Sequence, residues 1–519
     1  MTDRWESNPI ICKGGIHLEL DTLTLGTTQP GAAAILQNYE PSIAGGYSRI
    51  AGYTKWDTNT VPGDSNTPVL GVCAWLGGVF AARYNTATSS NDISFSTGSG
   101  WTKINTSPRG GSVSKVRMLN YSYSAPAIYI TDGVNPAAKW DGTTYTLVNG
   151  TGAPTNPKYA EYFNGSIVLA GYGSGNSANC QISISAATSD TDFNGADGAV
   201  AINVGDVVVG LKRFRDTLYI FCQNSIWELT GTGTSTYALD AVTRQLGCLG
   251  QDTILEVGGD LIYLAPDGFR SLAATYRIAD LQLGLLSKPI TPLILANSFT
   301  SNNAPDSFSA VHIASKNQYR AWLYTTGQTK VNAFGVIGKR LDDPVNVQYE
   351  WSTSLGIQPY SAHSAYIRNQ EVIVIGDPSN GYVYRLESGN DFDGTPISYI
   401  YQTPPMTFKD AGLRKVMQKI SLYTQASGVI NISLNVLVDP QIQNGFQPAS
   451  IPIVLTSSSA TYGTGVYGTS SYAAIQYPVF KLPIVGAGFL VAFQFSGTDS
   501  NPVHRIDSFN IEFAPKGRR

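Results

Sequence analysis

The sequence predicts an all-β protein, an irregular β-propeller followed by a C-terminal β-sandwich. Three observations predict it. Gly (53) and Tyr (29) are abundant while Met (4) and His (4) are scarce, a mixture that suits pleated strands and tight turns. Apolar residues mostly alternate with polar ones, or form short runs bounded by Gly, Asn and Asp. A strand–turn–strand unit also recurs roughly every 40–50 residues, the period of propeller blades.

The recurring unit is visible as Phe163-Asn164-Gly165 before an apolar strand, and as Phe214-Arg215-Asp216 before Thr217–Cys222 and a strand around Trp227. It returns at Gly258-Gly259-Asp260 with Pro266-Asp267-Gly268, and at Asn369 with Asp377 and Gly381–Leu386. Earlier copies are Gly77-Gly78 leading to Ile93, and Ala127–Gly133 leading to Lys139–Gly142. Each hairpin has an apolar face that it cannot bury alone, and radial packing of sheets buries those faces while leaving short edges. About five to seven blades fit between residues 65 and 390 at this period. The spacing is irregular around residues 275–310. A series of β-sandwiches would show similar hairpins, but the period favours the propeller.

After residue 390 the cadence changes. Segments 395–403, 415–424, 429–438, 479–482, 489–495 and 503–513 read as strands, most of them longer and alternating, and a Ser/Thr/Gly/Tyr-rich connection occupies 456–474. That predicts three parts: an N-terminal segment, 1–64, packing on the propeller or the sandwich; a propeller, 65–390; and a sandwich, 391–519. Short helices are expected only at 277–286 and 31–37.

Charged residues make up 14% of the chain, against roughly 25% in average soluble domains, which suits burial against other subunits. The formal net charge of −3 gives no basic surface for wrapping nucleic acid. Cys12, Cys73, Cys180, Cys222 and Cys248 are scattered, odd in number and without a CxxC pair. They read as reduced core residues made in a cytoplasm. No apolar signal segment opens the chain, so export by the usual signal is not expected, and no run approaches a membrane span.

No catalytic constellation emerges. His17, His312, His363 and His504 lie far apart and outside any HxxxH or HExxH pattern. There is neither a GxSxG elbow nor a Walker-type loop. The Gly-rich stretch from Gly171 reads as a loop. Paired acids would be needed for glycoside hydrolysis, but Asp190, Asp192, Asp216, Asp260, Asp267, Asp377, Asp391 and Asp393 nearly all sit in turn contexts, where Asp caps the backbone. Asp190/Asp192 and Asp391/Asp393 can be drawn as calcium loops, yet neither has the full DxDxDG spacing. Tyr121, Tyr123, Tyr159, Tyr162 and Tyr172 are candidates for stacking on sugars, against the commoner role of cross-strand packing. No residue is assigned as catalytic, cofactor-binding or metal-ligating, and no cofactor is expected.

The N-terminal stretch carries a more specific signal: Lys13-Gly14-Gly15-Ile16, then Leu36-Gln37-Asn38-Tyr39-Glu40, Gly45-Gly46, and Arg49 to Gly52-Tyr53. It resembles the opening of tail nozzle (tail tubular B, tail stabilisation) proteins of short-tailed phages. Leu246-Gly247-Cys248 through Gly268-Phe269-Arg270-Ser271-Leu272 is similar to their mid-chain block, and Phe392-Asp393-Gly394 with Arg414-Lys415-Val416 to the start of their C-terminal sandwich. The resemblance implies a non-enzymatic virion protein assembled in the host cytoplasm. It implies a hexameric ring below the tail adaptor, in contact with fibre or spike proteins, through which DNA is ejected. The alternative is a receptor- or polysaccharide-binding propeller at the tail periphery. A propeller hydrolase or lyase is a third possibility, requiring two carboxylates that face one pocket.

Overall fold

Two-residue turns with left-handed backbone recur at one place in the repeated unit, between its first and second strands. Leu76-Gly77, Asn164-Gly165, Gly258-Gly259 and Arg368-Asn369 have positive φ at both residues, the type I′ geometry whose twist matches that of the strands it joins. The computed structural model describes residues 5–172, 179–272, 284–296, 305–323, 334–341, 348–408, 410–426, 428–440, 447–455 and 479–518. In it these hairpins are the inner edges of small antiparallel sheets set around one axis.

Six discrete sheets form propeller blades. Blades 1 to 4 run in chain order: blade 1 from Val69 to Lys103, blade 2 from Arg117 to Val148, blade 3 from Tyr159 to Asn203 and blade 4 from Val208 to Thr243, each of four strands. Among the described residues blade 5 has three strands, Leu255–Val257, Asp260–Ala265 and Gly268–Ser271. Its outer edge is met by Leu285, which bridges Arg270, and by the Leu286 N–H, which donates to the Phe269 carbonyl. Blade 6 holds Ser361–Ile367, Gln370–Gly376 and Val383–Leu386, and is completed by Tyr53–Lys55 from the start of the chain. Between blades 5 and 6 the sector is filled by Phe308–Ile313, Gln318–Leu323, Phe334–Arg340 and Tyr349–Leu355, the first limb of a nine-stranded sheet. The irregular spacing near 275–310 falls between blade 5 and this shared sheet.

The shared sheet continues beyond the propeller through Ile35–Gln37, Ile397–Gln402, Val491–Asp499, Ile430–Val438 and Ile451–Leu455. A seven-stranded sheet, built on His504–Arg518 and Leu413–Ala426, shares its core. Strand Ile430–Val438 shows the cause: Ile430, Ile432, Leu434, Val436 and Val438 alternate inward. They meet Ile420, Leu422, Phe493, Phe495, Phe509 and Ile511 in one cluster with Tyr39, Tyr47 and Trp351.

The strands of 391–519 do not close a sandwich on their own. Glu6–Ile11, Tyr39–Pro41 and Tyr47–Arg49 join the seven-stranded sheet, and Ile35–Gln37 bridges the propeller limb to Ile397–Gln402. The N-terminal segment, expected to pack on the propeller or the sandwich, contributes strands to the sheets of both lobes. The helix expected at 31–37 is likewise absent. Ile35–Gln37 is extended, and Gly31 sits so close to the Ile11 carbonyl that a Cβ there would lie 1.7 Å from the oxygen. A short helix lies instead at Thr22–Thr28, where the Asp21 carboxylate accepts from Leu23 and Thr24 N–H groups. The segment expected as a helix at 277–286 falls outside the described residues up to 283, and 456–474 lies outside them entirely.

Where the two lobes meet, four charges are locked together. Arg320 donates from Nη2 to Glu40 Oε2 at 2.6 Å and pairs with Glu387 at 2.7 Å, and Lys316 bridges the same two carboxylates. Burial opposes ionisation of Glu387, but Arg320 and then Lys316 outweigh it and hold the carboxyl below the usual range. Arg49 anchors the other side, reaching the carbonyls of Asn390 (3.1 Å) and Asn501.

Glu40→Ala would strip a partner from Arg320, whose side chain is 1% exposed, and is expected to cost about 3 kcal/mol. Glu512→Ala, which breaks the half-exposed Lys419–Glu512 pair, should cost well under about 1 kcal/mol. Urea transitions followed by tryptophan fluorescence check both. His504 accepts or shares a 2.7 Å hydrogen bond with Tyr39, and burial, then Arg49, push it down from 6.5 to about 3. It is neutral in the fold and gains a proton more readily when unfolded, so its contribution is full above pH 6.5 and is lost as pH falls towards 3. His504→Gln should flatten that acid limb in pH-dependent denaturation.

Candidate functional site

The centre of the propeller is where its inner segments converge. Val69–Trp75, Arg117–Ser122, Tyr159–Phe163, Val208–Phe214, Gln251–Val257, Phe308–Ile313 and Ser361–Ile367 each contribute residues to one cavity of about 190 Å³. Lys115, Arg117, Lys158, Asp252 and Asp306 lie just before or at the starts of four of these segments, and they meet. Arg117 opens its strand, and its guanidinium donates to Asp252 Oδ2 at 2.7 Å and Asp306 Oδ1 at 2.8 Å. Lys115 pairs with Asp252 at 3.2 Å and Lys158 with Asp306 at 3.0 Å. Four parts of the ring are tied: blades 2, 3 and 5 and the shared sheet.

These pairings set the protonation states. Burial, the largest single effect, opposes ionisation of Asp252 and Asp306, but Arg117 together with Lys115 at Asp252 and with Lys158 at Asp306 outweighs it, and both carboxyls are held below the usual range. Two acids converge here, yet neither keeps a proton to deliver near neutral pH, as a general acid must. Deeper in the cavity Glu161 is raised by burial against the pull of Lys212, whose ammonium is 3.9 Å away. His363 is pushed down to about 4 by burial and then by Lys212. Its Nδ1 accepts the Ala74 N–H at 3.2 Å, leaving the proton of the neutral ring on Nε2, towards Cys73 Sγ at 4.0 Å.

The carboxylates singled out in the sequence are dispersed. Asp377 accepts from Ser379 and Asn380 N–H groups, Asp391 from Gly394 and Asp192 from Asn194, all turn caps. Asp260 accepts from Leu261 N–H and Ser271, Asp267 pairs with Arg270, Asp393 with Lys55, and Asp216 is exposed. Asp190 is not a turn cap: it receives the Tyr121 hydroxyl and the Lys139 ammonium, both at 2.5 Å. Among the described residues no group of three or more His, Cys, Asp or Glu is placed to hold a metal ion.

The tyrosines weighed as candidates for sugar stacking are engaged within the fold. Tyr121 and Tyr159 are buried, Tyr121 lying against Tyr129 and Tyr162, and Arg117 covers the Tyr159 ring at 5.1 Å. Tyr123 and Tyr172 donate or share hydrogen bonds with Ala187 O and Ser183 Oγ. His17, His312, His363 and His504 lie on different elements, and each is shifted down chiefly by burial. Cys12, Cys73, Cys222 and Cys248 are buried, free and pushed up to about 12 by burial. Cys180 is half-buried.

No family model matches the chain, and no curated protein matches it. Solved structures similar to it include BBS1N, crystallised in complex with ARL6DN, at 10% identity and a TM-score of 0.37 over 66% of this chain and 99% of that one. The N-terminal domain of Nup159 is 8% identical, with a TM-score of 0.35 over 68% and 98%, and the AfRom2 CNH domain 10% identical, with 0.35 over 64% and 100%. Likenesses at this level carry no argument about binding or activity. The propeller is established by its own strand pairing.

Lys212→Met removes the cation that faces both His363 and Glu161. Protonation of each then becomes easier, so the His363 midpoint should rise from about 4 towards 6.5. Histidine-labelled NMR titration of the full chain reads the shift.

Proposed function

We propose that the chain is a non-catalytic binding propeller that engages a receptor or polysaccharide at the periphery of a phage tail. The observation that carries this reading is the use made of the central charges. Arg117, Lys115, Lys158, Asp252 and Asp306 are spent on tying blades together. What supports a binding role is a rigid frame whose loops are left to recognise a partner. A hydrolase would need one protonated and one ionised carboxyl facing a single pocket, and the two acids that converge at Arg117 are both held ionised.

A second reading, a hexameric tail nozzle below the adaptor, is favoured by the N-terminal residues that resemble that family. Asn38, Glu40, Arg49 and Gly52 all sit where the propeller joins the other lobe. Asn38 donates to the Leu355 and Ser398 carbonyls, Glu40 meets Arg320, Arg49 reaches Asn390, and Gly52 packs on Asp391. In that reading DNA passes between copies, because the propeller's own cavity is small and crossed by Arg117.

Native mass spectrometry and a glycan array on the purified full chain separate the two. Retention of a glycan without turnover is the expected result. A hexameric ring that retains none favours the nozzle, and depolymerisation of a retained polysaccharide would overturn both.

A further inference from the structure

A second cavity, of about 500 Å³, opens between blade 1, the segment that follows it and blade 6. Its lining includes Pro68, Leu70, Tyr84, Asn91, Val113 and Tyr360, and none of the lining residues is charged. The volume lies within the range of about 300–1,000 Å³ of small-molecule sites. We propose that this cavity is a subsite for one uncharged sugar ring, an assignment that rests on the binding role given above and locates it.

Asn91 sets the chemistry. It is 1% exposed, and its amide nitrogen is fully used, donating to Arg109 O at 2.7 Å and Gly111 O at 3.2 Å. Its Oδ1 receives no donor among the described residues, so an acceptor is held in a fixed direction at the cavity lining, where the fold itself supplies nothing to meet it. A ligand hydroxyl answers that acceptor. The Tyr84 hydroxyl also has no partner among the described residues, and its ring, with Pro68, Leu70 and Val113, offers apolar faces to the C–H side of a pyranose. Tyr360 is held by its hydroxyl, which donates to Ser114 O at 2.5 Å.

The rim is equally constrained. Arg109 forms a buried pair with Asp132 at 2.7 Å, and Ser114 donates to Asp306 at 2.5 Å. The stretch carrying Gly111, Ser112 and Val113 is therefore pinned at both ends, so little ordering cost opposes binding. An ionised ligand would be desolvated there with no opposite charge to meet it. Flat apolar walls, a fixed acceptor and no charge match a neutral, hydroxyl-bearing ring.

The test uses the full chain on an array carrying neutral, uronic and sialylated glycans, followed by titration calorimetry with the best-retained neutral oligosaccharide. Tyr84→Ala should weaken binding about tenfold. Ser112→Trp, an exposed position whose new side chain would fill the cavity, should weaken it at least as much with the melting temperature unchanged. Wild-type binding that both variants retain in full overturns the site and leaves the binding role standing. Retention of acidic glycans alone, or displacement by free aromatic amino acids or nucleosides, overturns the assignment to a neutral sugar. A blank array for the wild type overturns the site and the binding role together.

Discussion

The fold depends on the first fifty-odd residues being threaded through it. Glu6–Ile11 lies beside the last strand of the chain, Ile35–Gln37 joins the propeller limb to the far sheet, and Tyr53–Lys55 closes blade 6. Between these sit Glu40 and Arg49, buried charges whose partners come from three distant parts of the sequence. A buried pair of this kind adds little net stability against an apolar alternative, but losing one member is costly. Its effect is to specify one arrangement of the two lobes. The propeller and the two-sheet lobe are joined as one body because strand hydrogen bonds run from one into the other.

A similar economy governs the propeller axis. Inner segments of a propeller bring their starts together, and backbone polarity alone would leave that mouth open to water. Here Arg117 spans it, with Asp252 and Asp306 as counter-charges and lysines filling the remaining valence. The network leaves the central cavity without a proton-donating carboxyl at Arg117, since both acids there are held ionised. The second cavity, beside Asn91, has walls and a rim held by contacts within the fold.

Much of the fold was legible in period and turn chemistry. The segment 429–438 alternates so regularly that its strand, Ile430–Val438, follows from side-chain direction alone. Asn164-Gly165 and Gly258-Gly259 name their own turns, because these residues tolerate positive φ. Leu76-Gly77 and Arg368-Asn369 make the same turn without that signature at the first residue, held by the strands on either side. The short closing strand Tyr53–Lys55 and the extended Ile35–Gln37 were not legible, since their partners lie more than 300 residues away. Asp377 and Asp391 are turn caps, as their neighbours imply, whereas Asp190 is drawn by Tyr121 and Lys139 into a buried contact that no local pattern announces.

By itself, then, the sequence determined the local alphabet: which stretches are strands, where hairpins turn and that blades repeat. Those features depend on interactions within a few residues, namely side-chain alternation, φ preference and capping. Tertiary structure alone decided which sheets fuse, how the ring is closed and where the charges meet. Lys115, Arg117, Asp252 and Asp306 form one cluster across nearly 200 residues of chain, and Tyr84, Asn91 and Tyr360 line one cavity from two ends of the propeller. Ion pairing and cavity shape depend on distance in space, and in a closed ring the first and last blades are neighbours.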